Sequence, residues 1–273
     1  MMRGNPVRIA RFSAGDDVGF GLVDTDDEGN QFVTRMKSHP LVGPIQLTGE
    51  RTKLEDVRLL SPILPTKIVC IGKNYADHIA EMGGSAEDER DPKEPVVFLK
   101  PSTAVVGPND PVFHPKLSSR VDYEGELAVI IGRLCREVPA ERAKDVIFGY
   151  TIGNDVTARD LQQADHQWTR AKGFDSFCPL GPWIETGLSV EEASQLRITT
   201  TVDGEVRQDG NTGQMIHSIP EIISYVSSFM TLLPGDVILT GTPAGVGPVR
   251  VGQRMTVAID RIGELSNPVV ARD

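Results

Sequence analysis

Short apolar runs of strand length, repeated from residue 67 onward, constrain this chain more than any other feature. They are "KIVCIG", "PVVFLK", "LAVIIG", "VIFGYTIG" and "VILTG". "RITTTVDGEVRQ" adds a hairpin, with Asp203-Gly204 suited to a type I′ turn. Helical signals are fewer. The best is "SIPEIISYVSSFMTL", where Ser218 and Glu221 have capping-box spacing and Ile219, Ile222, Ile223, Val226 and Met230 recur at helical intervals. Pro234-Gly235-Asp236 then turns the chain into the next strand. The strand–helix alternation of a Rossmann fold or a TIM barrel is missing. The pattern predicts a β-rich α+β fold with a rolled or sandwiched sheet.

Residues 7–36 read as three more strands, "VRIARF", "VGFGLV" and "QFVTRM", separated by the turn-rich "SAGDD" and "DTDDEGN". Such an antiparallel unit buries little alone. The prolines of "SPILP" mark a boundary between a small N-terminal domain over residues 1–62 and a larger domain over residues 63–273. No apolar run reaches the roughly 20 residues of a bilayer span, and the first residues lack the apolar stretch of a signal peptide. Cys70, Cys135 and Cys178 form no C-x-x-C, so they are expected to fill cores in a reducing cytoplasm. A net charge of −10 without a Lys/Arg cluster argues against nucleic acid. A small anionic substrate is compatible with it only where a few cations gather.

"VDYEGELAVIIG" (121–132) sets Asp122, Glu124 and Glu126 at alternate positions, hence on one face of a strand, with Ala128 and Ile130. Two carboxylates at strand i, i+2 spacing repel by roughly 2.5 kcal/mol at an effective dielectric of 20. Either the face is wet, or one acid is protonated, or a cation sits between them. The last option gains weight because "VIFGYTIGND" ends in a further acid, Asp155. Oxygens from two strand ends suit a hard cation such as Mg²⁺ or Mn²⁺, and no His/Cys spacing for zinc accompanies them. A glycosidase acid pair is a weaker reading in a chain with 5% aromatic residues.

"GKNYADHIAEMGG" (72–84) reads as a short helix capped by Asn74 and ended by Gly83. His78 and Glu81 share its face, a carboxylate beside an imidazole, as a general base requires; a surface ion pair is the bland alternative. The polar "SAEDERDPKEP" that follows has the composition of a mobile lid. Lys100 ends "FLKPS", Arg159 and Gln162 lie one turn apart after Asp155, and Lys172 lies in "RAKGFD". Near a metal these groups would bind a carboxylate or an enolate. Thr242 belongs to "LTGTPAGVG", a glycine-rich loop able to offer N–H groups to an anion, though without a P-loop ending.

"IGKNYADHIAEMG", "PVVFLKPST", "DYEGELAVIIG", "GYTIGNDVTARDLQ", "AKGFDSFCPLGPWI", "GNTGQMIHSIPEIISYVS" and "LLPGDVILTGTPAGVGPV" together resemble the fumarylacetoacetate hydrolase superfamily. The motifs cover most of residues 67–250 in the family's order, whereas residues 1–60 match far less specifically. The resemblance implies a mixed β-roll catalytic domain, a homodimer, and Mg²⁺ or Mn²⁺ held by Glu124, Glu126 and Asp155. It implies a water-activating dyad of His78 and Glu81. It also implies substrate-holding positions at Lys100, Arg159, Gln162, Lys172 and Thr242, with Lys172 beside a developing enolate. The expected activity is cleavage of small 2-oxo acids by acylpyruvate hydrolysis or oxaloacetate decarboxylation. An isomerase of 2-hydroxy-diene dicarboxylates is the alternative, and a non-catalytic metal-binding scaffold a further one.

Overall fold

The computed structural model describes residues 7–82 and 93–272. Gly83 and most of the polar stretch expected to form a lid lie outside the described residues. The architecture is α+β and β-rich, as the short apolar runs predict. Among the described residues the main sheet has twelve strands. Its spine runs Leu47–Lys53, Gln31–Met36, Asp17–Thr25, Arg8–Ala14, Cys178–Glu185, Ile147–Asn154, Gly125–Ile131, Val237–Leu239, Ile68–Gly72 and Val96–Lys100. Neighbours are antiparallel except Val237–Leu239 beside Ile68–Gly72.

Gly125–Ile131 is buried along its whole length. Leu127, Val129 and Ile131 pack into a core with Ile219, Ile222, Ile223 and Val226 of the helix Ile219–Phe229. Ala128 and Ile130 face the opposite way, onto Cys70, Cys178, Leu180 and Leu239. A strand covered on both faces reads as an unbroken apolar run, which is what "LAVII" is. At the head of the helix the Glu221 carboxylate accepts from both the Ser218 N–H and its hydroxyl, each at 2.7 Å.

A second sheet of five strands contains the expected hairpin, Arg197–Val202 paired with Glu205–Asn211. Asp203 (φ 50°) and Gly204 (φ 84°) both take the left-handed backbone that a type I′ turn needs. The N-terminal strands join the main sheet through Arg8 opposite Glu185 and Ile9 opposite Ile184. Their own core of Ala10, Phe12, Val23 and Val33 is completed by Trp183 from the strand they join. No helix among the described residues is long and apolar enough to cross a membrane.

Candidate active site

The row of three acids does not hold together as one face. The chain leaves one strand at Tyr123 and enters the next at Gly125, with Glu124 between them. Val121–Tyr123 belongs to a separate three-stranded sheet with Thr157–Ala158 and Gly247–Val249. Asp122 therefore turns away. It accepts from Arg120 Nε at 2.9 Å and Nη2 at 3.1 Å, and from Arg159 Nε at 2.9 Å. The acids that do converge are Glu124, Glu126 and Asp155, whose ligand atoms all lie within 4.8 Å of one another. Pairing of Gly125 with Asn154 brings the two strand ends side by side, and the Asp155 N–H donates to Glu124 O at 2.8 Å.

Three buried cations surround this floor. Lys172 Nζ donates to Glu124 Oε2 and Asp155 Oδ2, both at 2.7 Å. Arg159 bridges Asp122, Glu124 and Gln162. Lys100 is 1% exposed and does not line the cavity. It stands beneath the floor, donating to the carbonyls of Val156 (3.0 Å), Lys172 (2.6 Å) and Phe177 (2.8 Å). Its ammonium also lies 2.7 Å from Asp155 Oδ1. An ammonium has three protons, and these three carbonyls take them. Asp155 Oδ1 thus has a positive charge beside it but no hydrogen bond.

That orphaned oxygen fits a cation ligand. Ion-paired with Lys100 but without a hydrogen bond, it keeps a lone pair that a hard divalent ion would take. The charges agree: the buried set holds four acids, Asp122, Glu124, Glu126 and Asp155, against Lys100, Arg159 and Lys172. Burial, then the charges of Asp155 and Glu124, push the Glu126 carboxyl far above the usual range, despite an N–H bond from Gly241. Burial would also raise Glu124, but Lys172 and Arg159 outweigh it and hold that carboxyl low. Burial works against the Lys172 charge, and Asp155 and Glu124 more than restore it. Glu124, Glu126 and Asp155 could hold the ion, and Lys172 already bridges two of them.

Above the floor lies a cavity of about 210 Å³. His78, Arg159, Gln162, Lys172 and Thr242 line it with the three acids. Its apolar wall includes Phe98 and Trp168, rings packed edge to face with centroids 5.2 Å apart. Gly72 makes room for that wall, since a Cβ there would stand 2.9 Å from the indole. Local spacing in the sequence does not mark either ring as part of a site. Trp168 is one of two tryptophans in an aromatic-poor chain, the one signal that could have drawn attention to it.

His78 and Glu81 sit on the short helix Ala76–Glu81, with His78 buried and Glu81 at the solvent edge. Nδ1 of His78 lies 3.6 Å from Glu81 Oε2 and has no hydrogen-bond partner. Burial lowers the imidazole pKa and keeps the ring neutral, Glu124 pulling the other way. Asn74 does not cap this helix. It ties the strand end to distant loops, donating to Thr240 O at 2.7 Å and His217 O at 3.1 Å, and accepting from His217 N at 2.7 Å. The glycine-rich loop directs its amides at protein carboxylates, Gly241 to Glu126 and Gly245 to Glu81. The Thr242 hydroxyl donates to Gly125 O at 2.9 Å and accepts from Gln208 Nε2 at 2.7 Å.

Comparison with known proteins gives the family. Residues 67–270 match the family described as fumarylacetoacetate (FAA) hydrolase, C-terminal, and residues 7–62 match one described as Rv2993c-like, N-terminal. The oxaloacetate tautomerase YisK of Bacillus subtilis is 46% identical over 226 residues, covering 79% of this chain and 74% of that protein. The crystal structure of a 5-carboxymethyl-2-hydroxymuconate delta-isomerase from Mycobacterium smegmatis superposes with a TM-score of 0.88 at 46% identity, covering 97% of this chain and 100% of that one. A maleylpyruvate hydrolase from Sphingobium sp. SYK-6, in complex with manganese(II) and pyruvate, superposes at 0.77 with 33% identity, covering 97% of this chain and 100% of that one. An acid triad under a cavity on a β-rich fold, and a family match over most of the chain, carry one conclusion: this protein belongs to the fumarylacetoacetate hydrolase family.

Proposed function

We propose that this chain is a divalent-metal-dependent enzyme that enolises small 2-oxo acids, and that its reaction is keto–enol tautomerisation of an oxaloacetate-like diacid. One observation carries the reading: a compact cavity sets an acid triad with an orphaned oxygen opposite a neutral imidazole whose Nδ1 has no partner. The motifs alone favour cleavage. The looseness of the His78–Glu81 pair and the relatives named as tautomerase and isomerase move the reading toward proton transfer.

Glu124, Glu126 and Asp155 would hold Mg²⁺ or Mn²⁺, which when bound supplies a Lewis acid for the 2-oxo group. Arg159 and Gln162 bind the substrate carboxylate, which a planar guanidinium suits. His78 takes the proton from the carbon beside the 2-oxo group and returns it to oxygen. Lys172 offsets the negative charge that builds on that oxygen during the transfer. Thr242 shapes the far wall, and Phe98 and Trp168 keep water from the carbanion. Lys100 supports Asp155 from below and touches no substrate. The proposal carries a homodimer in the cytoplasm, where the free cysteines remain reduced.

A second reading is hydrolytic C–C cleavage, which the His78–Glu81 spacing and the hydrolase neighbour support. One assay separates the two. The Mn²⁺-loaded protein is mixed with enolic oxaloacetate or with acetylpyruvate, enol absorbance is followed, and products are weighed by mass spectrometry. Chelator-sensitive loss of enol without loss of carbon supports tautomerisation. Pyruvate released from acetylpyruvate moves the assignment to hydrolysis, and carbon dioxide from oxaloacetate moves it to decarboxylation. No chelator-sensitive change in either compound overturns both readings and leaves a metal-binding scaffold.

A further inference from the structure

We propose that Tyr123 and Gly245 are positioning residues for His78, acting through Glu81. The proposal rests on the reading of His78 as the base. Glu81 has two ties. Its Oε2 lies 3.6 Å from His78 Nδ1, and both its oxygens accept from Gly245 N–H, at 3.2 and 3.0 Å. The pose of this carboxylate is therefore set by the glycine-rich loop as much as by its own helix.

Gly245 is itself held from two sides. Its carbonyl accepts from the Tyr123 hydroxyl at 2.9 Å. Its backbone has a φ of +97°, and a Cβ there would stand 2.0 Å from the carbonyl oxygen of Arg207. A side chain would not fit that spot, so the close approach of the loop to Arg207 requires glycine there. Tyr123 is 2% exposed and pairs across the small sheet with Gly247, two residues beyond the glycine it grips.

Tyr123 also directly precedes Glu124 of the acid triad. The triad and the imidazole come from segments far apart in the chain. A path of hydrogen bonds runs from Tyr123 through Gly245 to Glu81, whose carboxylate then lies 3.6 Å from the imidazole. Without it, the distance from floor to base depends on a helix of six residues whose first turn has no side-chain cap. The path does for Glu81 what an outer-shell group does for a ligating histidine: it selects the orientation of a group it does not replace.

The test uses Tyr123→Phe, which removes one oxygen and keeps the buried ring, alone and combined with Glu81→Ala, which removes the acceptor of the Gly245 N–H. In the Mn²⁺-loaded protein, Tyr123→Phe is expected to lower kcat about fivefold, the worth of one buried neutral hydrogen bond, with KM and Mn²⁺ affinity within about twofold of wild type. In the Glu81→Ala background, where Gly245 N–H has lost its acceptor, the same change costs nothing further, because the path is already cut. Histidine ring ¹⁵N spectra, with His78 assigned by its loss in His78→Gln, should show altered His78 nitrogen shifts in Tyr123→Phe. Equal fractional losses of kcat in both backgrounds would mean an ordinary packing role and overturn the proposal. So would unchanged ring shifts. The spectra need no turnover, so they decide the point even if no 2-oxo acid proves to be a substrate.

Discussion

In the N-terminal strands, Arg35 pairs with Asp17 at 2.7 Å and with Glu50 at 3.2 Å, and both acids are more than 70% exposed. Beneath the cavity, Lys172 meets Glu124 and Asp155 at the same 2.7 Å, with both acids 5% exposed or less. The contacts look alike and differ in consequence. At the surface, water screens each charge and a pair contributes about 0–1 kcal/mol. In the floor each charge has lost its water, so removing one partner leaves the other stranded. The N-terminal region stays folded through its apolar face on Trp183. The floor is an electrostatic assembly kept for what it can hold.

Lys100→Met cuts deepest into this contrast. It leaves three carbonyls and Asp155 without their cation and is expected to destabilise the protein by about 3–5 kcal/mol in urea unfolding. A stability equal to wild type would mean that Lys100 is not a support of the floor. Glu126→Gln is next. It should weaken Mn²⁺ binding at least about 100-fold by calorimetry, since even outer-shell partners are worth 10–100-fold. Stability of the metal-free protein should not fall, because burial and two acid neighbours already drive Glu126 toward its neutral form. A variant that binds Mn²⁺ normally would break the assignment.

On the other side of the comparison, Ile9→Val trims a fully buried N-terminal side chain. About 1 kcal/mol of stability should be lost, with Mn²⁺ affinity unchanged. The smallest effect concerns pH. Partial burial opposes the Asp160 charge, but hydrogen bonds from Ser118 and Ser119 outweigh it and bring the carboxyl from 3.8 down to about 2. A depressed carboxyl contributes stability that is complete above its unfolded value and is lost as pH falls through the folded one. Thermal midpoints should therefore decline between pH 4 and pH 2 less steeply in Asp160→Asn than in wild type.

Local rules made much of this molecule legible. Alternating and unbroken apolar runs located the central strands, Asp203-Gly204 announced its turn, and Ser218 with Glu221 announced the long helix. Glu124, Glu126 and Asp155 were legible because each sits where a strand begins or ends. What stayed hidden is nonlocal. Periodicity cannot register that the chain changes sheets at Glu124, so Asp122 looked like a third member of the row. Lys100 reads as a cation at a strand end whether it faces a cavity or supports it from beneath. Asn74 has the composition of a helix cap, but its real partners lie more than 140 positions away. The neighbours that decide such roles are brought in by tertiary pairing.

The join of Ile9 to Ile184 has a practical corollary. Cys178–Glu185 gives hydrogen bonds to Ile147–Asn154 on one side and to Arg8–Ala14 on the other. A protein shortened to begin at residue 63 would bare the Ile184–Glu185 end of that strand, together with the indole of Trp183 that now seals Phe12 and Val33. Unpaired strand flanks recruit other chains. Such a truncation is expected to self-associate beyond the state of the full protein, a difference that light scattering of the two would read.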